Sequence, residues 1–263
     1  MDDTAPALAR RDQLARAITE RGFVRVTDVA AELGVSGVTV RSDLAALEAA
    51  GIVVRVHGGA MPRSQGSGES SFESSLEQEA AAKRAIGRRA AGMVTSGQSV
   101  LLDVGTTALA VAHALVDRRD LDDVLVVTNG LTIALALEAA MPRFTVVVTG
   151  GTLRPLQHSL VNPFASQFLE TLQVDVAFIG CNGVDADRGV TNVNLPEAEV
   201  KRRMVQSADR PVLIADSSKL GRTRLGSVGP ISDFDTLVTA GDAPADVVGR
   251  LRAAGLSVVL AES

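Results

Sequence analysis

Asp103-Val104-Gly105-Thr106-Thr107 stands between an apolar run, Val100-Leu101-Leu102, and a helical pattern, Ala108-Leu109-Ala110-Val111-Ala112-His113-Ala114-Leu115. That order reads as a strand, a tight loop and a helix N-terminus. Such a junction presents unpaired backbone N–H groups and the positive end of a helix dipole, and a glycine with two hydroxyls adds close approach and further donors. An anion is its natural guest. Taken alone, the loop reads more simply as an ordinary turn with a threonine cap, and the rest of the chain has to decide.

Downstream, apolar runs recur at 99–103, 124–128, 144–149, 174–180, 211–215, 236–239 and 257–260, separated by helical patterns at 107–117, 130–140, 163–172, 196–208 and 243–254. Short buried runs with crossover helices predict a mostly parallel α/β sheet covered on both faces. Ligands of such sheets bind at the carboxyl ends of the strands. Polar, glycine-rich loops fall at those ends: Asp103 to Thr107, Thr128-Asn129-Gly130, Thr149-Gly150-Gly151-Thr152, Gly180-Cys181-Asn182-Gly183 and Asp216-Ser217-Ser218-Lys219. Each has a turn-chemistry explanation; five in the same position point to one crevice.

Composition narrows the class. With 263 residues and 46% hydrophobic content the chain can hold two domains of unequal size. No window approaches the roughly 18 to 20 apolar residues of a membrane span, and Met1 to Arg11 has no apolar signal core, so a cytoplasmic protein with no membrane partner is expected. A single cysteine, Cys181, and three dispersed histidines, His57, His113 and His158, give no basis for a metal site or a cofactor. Net charge is −5, yet residues 1–63 carry eight arginines against eight acids, so the negative balance belongs to the remainder. There are only three lysines, Lys83, Lys201 and Lys219.

Residues 7–62 read as a small helical unit closed by a ribbon. Ala7 to Arg21 places Leu14 and Ile18 on one stripe and stops at Gly22; Phe23 to Val26 is extended; Thr27 caps a helix over Asp28 to Leu33 that stops at Gly34. Ser36 caps a third helix, Gly37 to Ala50, closed by Gly51. Two helices joined through Gly34-Val35-Ser36 have the spacing of a helix-turn-helix, whose second helix enters the major groove of double-stranded DNA. On that helix Val40, Leu44 and Leu47 face inward, leaving Val38, Thr39, Arg41, Ser42, Ala45 and Ala46 outward. A small outward face admits the helix backbone deep into a groove, with Arg41 for guanine or phosphate and Val38 or Thr39 for a thymine methyl. Ile52 to Ala60 alternates as a ribbon with a glycine tip, and Arg55 and His57 are placed to touch phosphate.

Thr39-Val40-Arg41-Ser42-Asp43-Leu44, then Leu47-Glu48 and Gly51, then Arg55-Val56-His57-Gly58-Gly59-Ala60, resemble the DeoR family of bacterial transcriptional regulators. The family usually has a second arginine where this chain has Ser42, so a different operator or affinity is expected. In that family a Glu and a Lys following a Gly-Val-Thr-like segment line the effector pocket; here they are Glu197 and Lys201 after Gly189-Val190-Thr191, although the pair at i, i+4 is also a simple helix-stabilising one. Lys219 after Asp216-Ser217-Ser218 looks like the family's Asp-x-Ser-Lys loop. The resemblance spans about residues 7–240 and implies a sensor fold similar to ribose-5-phosphate isomerase.

The expected organisation is a winged helix-turn-helix over 1–63, a linker over 64–75 beginning with the polar stretch 64–71, and a sensor over 76–263, with a helix from Phe72 to Ser96 joining them. The expected function is that of a repressor, a homo-oligomer (dimer or tetramer), released from its operator by a sugar phosphate or similar effector. DNA contacts fall to Ser36, Val38, Thr39, Arg41, Ser42, Arg55 and His57. Effector contacts fall to Asp103, Gly105, Thr106, Thr107, Thr128, Asn129, Gly150, Gly151, Glu197, Lys201, Asp216 and Lys219. An isomerase remains the alternative, with Asp103 or Glu197 as base and a lysine steadying the enediolate. Against it stands a reader domain for which an isomerase has no use.

Overall fold

The computed structural model describes residues 4–21, 24–50, 52–56, 58–62 and 69–262. The chain divides into two compact units, residues 1–69 and 70–263. His57, Phe23, the helix stops Gly22 and Gly51, and linker residues 64–68 lie outside the described residues.

The first unit runs α1 (Thr4–Arg21), β1 (Val24–Arg25), α2 (Val26–Leu33), α3 (Gly37–Ala49), β2 (Val53–Val56) and β3 (Gly59–Pro62). Its antiparallel sheet has the order β1-β3-β2. Leu14 and Ile18 of α1 meet Val40, Leu44 and Leu47 of α3 in one core with Val29, Val53 and Ala60, as the helical stripes predict. Ser36 caps α3, its Oγ accepting the Thr39 N–H at 3.1 Å. The expected threonine cap of α2 is corrected: the helix starts at Val26, and Thr27 instead donates to the Asp28 carboxylate at 2.9 Å. The reason is tertiary, because the Val26 N–H is taken by the Gly58 carbonyl at 3.0 Å and needs no local cap.

The second unit runs α4 (Phe72–Leu76), α5 (Ala80–Ala91), β4 (Ser99–Leu102), α6 (Thr106–Asp117), β5 (Val124–Thr128), α7 (Leu131–Leu137), β6 (Phe144–Val148), β7 (Thr152–Arg154), β8 (Ser159–Val161), α8 (Phe164–Leu169), β9 (Val176–Gly180), β10 (Gly183–Asp185), β11 (Gly189–Asn192), α9 (Leu195–Gln206), β12 (Pro211–Ile214), β13 (Gly226–Gly229), β14 (Thr236–Thr239), α10 (Ala245–Ala253) and β15 (Ser257–Leu260). All seven predicted strands join one parallel sheet of order β15-β14-β12-β9-β4-β5-β6. Successive residues serve opposite cores: Val100 and Leu102 pack with α5, α6 and α7, whereas Leu101 packs with α8, α9 and α10. On the first face Gly87 lets α5 lie directly on α6, since a side chain there would meet the Ala110 carbonyl.

The chain winds outward from β4 through β5 to β6, then returns to β9 beside β4 and winds the other way. The topological switch point therefore lies between the C-terminal ends of β4 and β9, where Asp103 and Gly180 stand.

Three features depart from expectation. The helix over 72–96 is two pieces, because Glu79 takes a left-handed conformation (φ 53°) and breaks it, and α4 occupies the end of the expected linker. The carbonyls of Ser75 and Gln78 exposed by the break are taken up by the Lys83 ammonium, each at 2.6 Å. The loop from Leu153 to Asn162 contains a hairpin, β7 against β8, and a small antiparallel sheet, β10-β11-β13, covers the second core.

Candidate functional site

Asp103 is fully buried at the switch point. Its Oδ2 accepts the Gly180 N–H at 2.9 Å and pairs with the Lys201 ammonium, which reaches it from α9. Its Oδ1 is buried and has no hydrogen-bond partner among the described residues. Burial pushes the Asp103 carboxyl above its ordinary value against the pull of Lys201. For Lys201 burial acts downward, but the carboxylates of Asp103 and Glu197 outweigh it and hold the ammonium above its ordinary value.

One turn before Lys201, Glu197 is also buried, and it is saturated. It accepts from Ser159 Oγ at 2.6 Å, from Arg154 in an ion pair, and from Asn192 Nδ2 at 3.4 Å. Asn194 caps α9, its Oδ1 accepting the Glu197 N–H at 3.1 Å, so helix start and carboxylate are fixed together. Glu197 thus orders the wall of the site. It is not a free acceptor for a guest.

Gly105 opens α6 at φ 110°, a conformation left to glycine, and no side chain caps the helix. The first-turn amides, with the half-buried Thr106 and Thr107 beside them, are left for solvent or an anion. On the neighbouring loop Thr128 is spent locally, its Oγ1 accepting the Gly130 N–H at 3.0 Å. Asn129 is divided: Nδ2 donates to the Leu160 carbonyl at 3.0 Å, while its buried Oδ1 has no partner among the described residues. Gly150 and Gly151 connect β6 to β7, Gly151 lying against the Val161 carbonyl. Asp216 shapes the turn 217–219 by accepting from the Ser218 amide at 3.0 Å and from its hydroxyl. That turn presents Lys219, which makes no ion pair among the described residues.

Cys181 is a common neighbour of these groups. Burial pushes its thiol up to about 12 against the opposing charges of Lys201 and Lys219, with Asp216 adding to the rise. A thiol held so high is no nucleophile, and an aspartate already bound by an ammonium is a poor general base. Lys83 lies close enough to feel Asp216 and Lys219; burial lowers it most, with Lys219 adding to the fall and Asp216 opposing.

The structure thus gathers Asp103, Glu197 and Lys201 at one point, with Asp216 and Lys219 sharing the Cys181 surroundings. Sequence reasoning missed Arg154, Ser159, Asn192 and Lys83. Only Lys83 carried a signal, as one of three lysines.

In the first unit Val38 is 73% exposed, Arg41 and Ser42 are exposed, and Thr39 is half-buried under its bond to Ser36. Arg55 is only partly available, since its Nε donates to Glu48 at 2.7 Å and its amide to the same carboxylate at 3.1 Å. Asp43, on the flank of α3, is buried and accepts from Arg10 Nε at 2.6 Å and Arg11 Nε at 2.9 Å. Burial opposes its ionisation, and the two guanidiniums outweigh burial and hold the carboxyl below its ordinary value. This pinning of α3 to α1 was not foreseen.

Residues 10–65 match the DeoR-like helix-turn-helix domain, and residues 78–241 match the DeoR C terminal sensor domain. A candidate aga operon transcriptional repressor of Escherichia coli is 36% identical over 253 residues, covering 95% of this chain and 93% of that protein. The HTH-type transcriptional regulator GlpR of Haloferax volcanii is 35% identical over 250 residues, 95% of this chain and 96% of that one. The glycerol-3-phosphate regulon repressor of Escherichia coli is 28% identical over 240 residues, 91% and 93%. A solved ribose 5-phosphate isomerase of Methanocaldococcus jannaschii is 19% identical with a TM-score of 0.38, over 54% of this chain and 55% of that one. No helix among the described residues is long and apolar enough to cross a membrane. With a DNA-reading domain and relatives that are transcriptional regulators, the protein is a regulator and not an enzyme. The chain belongs to the DeoR family of transcriptional regulators.

Proposed function

We propose that this protein represses a carbohydrate operon, binds its operator as a homo-oligomer through the exposed face of α3, and is released by a small phosphorylated polyol. One observation carries the choice of ligand: two buried acceptors, Asp103 Oδ1 and Asn129 Oδ1, lack donors among the described residues at the carboxyl end of the sheet. Each unmet acceptor costs free energy that a ligand hydroxyl would recover. The uncapped start of α6 and the Lys219 ammonium suit the anionic end of the same molecule. Relatives of the chain, one of them a glycerol-3-phosphate regulon repressor, agree with this class.

The test is a titration of the full chain on the DNA upstream of its own gene, with glycerol 3-phosphate and a set of hexose phosphates as competitors. Arg41→Ala is expected to weaken DNA binding by about 1–3 kcal/mol, roughly tenfold to a hundredfold, and to leave the ligand-induced melting shift intact. Lys219→Ala is expected to do the reverse, sparing DNA binding and blunting release. Operator binding by Arg41→Ala equal to wild type would refute the groove assignment.

A further inference from the structure

We infer that the β7–β8 hairpin reports effector occupancy to the DNA reader, because the strand ends that flank its turn are held by Glu197 in the effector site and the turn itself holds residues 70–73, the segment that continues the chain from the reader. This rests on the sensor reading above and names the element through which that site would act.

Where the strands meet the turn, the paired residues Arg154 at the end of β7 and Ser159 at the start of β8 both bind Glu197. Beside them the effector loop after β5 holds β8: the Leu160 N–H donates to the Asn129 carbonyl at 2.8 Å, and the Leu131 N–H donates to the His158 carbonyl at 3.0 Å. At the tip, the Phe72 N–H donates to the Leu156 carbonyl at 2.9 Å, and Gln157 Nε2 donates to the Ser70 carbonyl at 2.6 Å. The His158 ring lies 5.2 Å from that of Phe72, its Nε2 is 3.1 Å from the Glu73 carboxylate and its Nδ1 is 2.8 Å from the Thr132 hydroxyl.

A two-stranded ribbon of three residues a side has little stability of its own. In β7 the side chains of Thr152 and Leu153 are exposed. β8 is buried, with Val161 in the second core, and the turn end is held by what it touches, Glu197 through Arg154 and Ser159 and residues 70–73 through Leu156 and Gln157. A phosphate arriving at this site competes with Glu197 for the Arg154 guanidinium, and hydroxyls bound by Asn129 bear on the loop that holds β8. Either event alters the strand ends beside the turn, and the hold of the turn on residues 70–73 changes with it. Coupling follows because the two hairpin placements bind the guest unequally, and the same free energy acts in reverse on the guest.

The test follows amide exchange and DNA binding in the full chain. Arg154→Ala removes one of the two hairpin contacts to Glu197 without any ligand. Exchange of the Phe72 amide is expected to rise about tenfold or more, while the Val126 and Phe178 amides of the central sheet stay unchanged. Affinity for the upstream DNA is expected to shift by at least about threefold in the same variant, and Arg154→Lys to restore part of both. Unaltered Phe72 exchange overturns the inference, and so does faster exchange with unchanged DNA affinity. If Arg154→Ala does not fold, Gln157→Ala combined with His158→Ala frees the tip alone and is read in the same two ways. Glycerol 3-phosphate and hexose 6-phosphates separate this inference from the sensor reading. If none raises the melting temperature of the wild-type chain, the sensor reading fails and the variants still decide the hairpin. If one does, and the Gln157→Ala, His158→Ala chain still releases DNA as wild type does, the hairpin inference alone fails.

Discussion

Lys201→Met isolates the charge at the centre of the sensor. The substitution keeps side-chain length and removes the ammonium, leaving Asp103 with the Gly180 N–H on Oδ2 and no hydrogen-bond partner on Oδ1 among the described residues. Breaking one side of a buried ion pair costs about 3–5 kcal/mol. At roughly 2–4 °C per kcal/mol for a domain of this size, the sensor is expected to melt on the order of 10 °C lower near neutral pH. The loss depends on pH with a definite sign. Burial already holds the Asp103 carboxyl above its ordinary value, and without Lys201 nothing comparable opposes it. An acid whose folded value is raised binds more protons in the folded state, so its penalty is full at high pH and fades as pH falls toward the ordinary carboxylate value. Urea or thermal melts of wild type and variant between about pH 5 and pH 8 should therefore converge on the acid side. Adding Asp103→Asn, which keeps an acceptor for Gly180 and removes the charge, should recover most of the loss at the upper pH. A Lys201→Met penalty below about 1 kcal/mol, or one that is flat with pH, would refute the reasoning.

Gly105→Ala forces a side chain into φ 110°, where the surrounding space is open but the backbone is not an alanine's. A cost of about 1–3 kcal/mol is expected, together with loss of any melting shift that a sugar phosphate gives the wild-type chain, both read by thermal denaturation. Asp43→Ala removes the carboxylate that ties Arg10 and Arg11 to α3 and should destabilise the reader by about 1.5–3 kcal/mol. Because Asp43 is held below its ordinary value, its contribution is whole above the unfolded value of about 4 and disappears as pH falls through the folded one, so the wild-type and variant melts should merge only in strong acid.

The large sheet was legible because strands buried on both faces are written as unbroken apolar runs, and the crossover helices between them carry their own period. The carboxyl-end rule then led to Asp103, Asn129 and Asp216 without any contact information. What the sequence withheld was pairing at a distance. Asp103 and Lys201 are 98 residues apart and Asp43 and Arg10 are 33 apart, and no local pattern records either meeting. The hairpin escaped because three-residue strands are too short to show alternation, and its partner residues for Glu197, Arg154 and Ser159, read as loop. The break before α5 escaped because Glu79 gives no sign of a left-handed backbone, and the lysine that repairs it lies on what reads as the same continuous helix. Nor does any local pattern show that Glu197 and Thr128 are engaged within the protein, by Ser159 and Arg154 and by the Gly130 N–H.

Gly87 bears on how such a sensor can move. With α5 resting on α6 at the distance only a missing side chain allows, neither helix can slide along the other without backbone collision. The pair is a stiff plate that carries the Gly105 loop at one edge and Lys83 on the same body. Mechanical compliance has to be found elsewhere, in a thin ribbon whose β7 edge is exposed. A regulator built this way resembles an anvil with a leaf spring beside it, in which a guest seated against the rigid part does its work by bending the soft one.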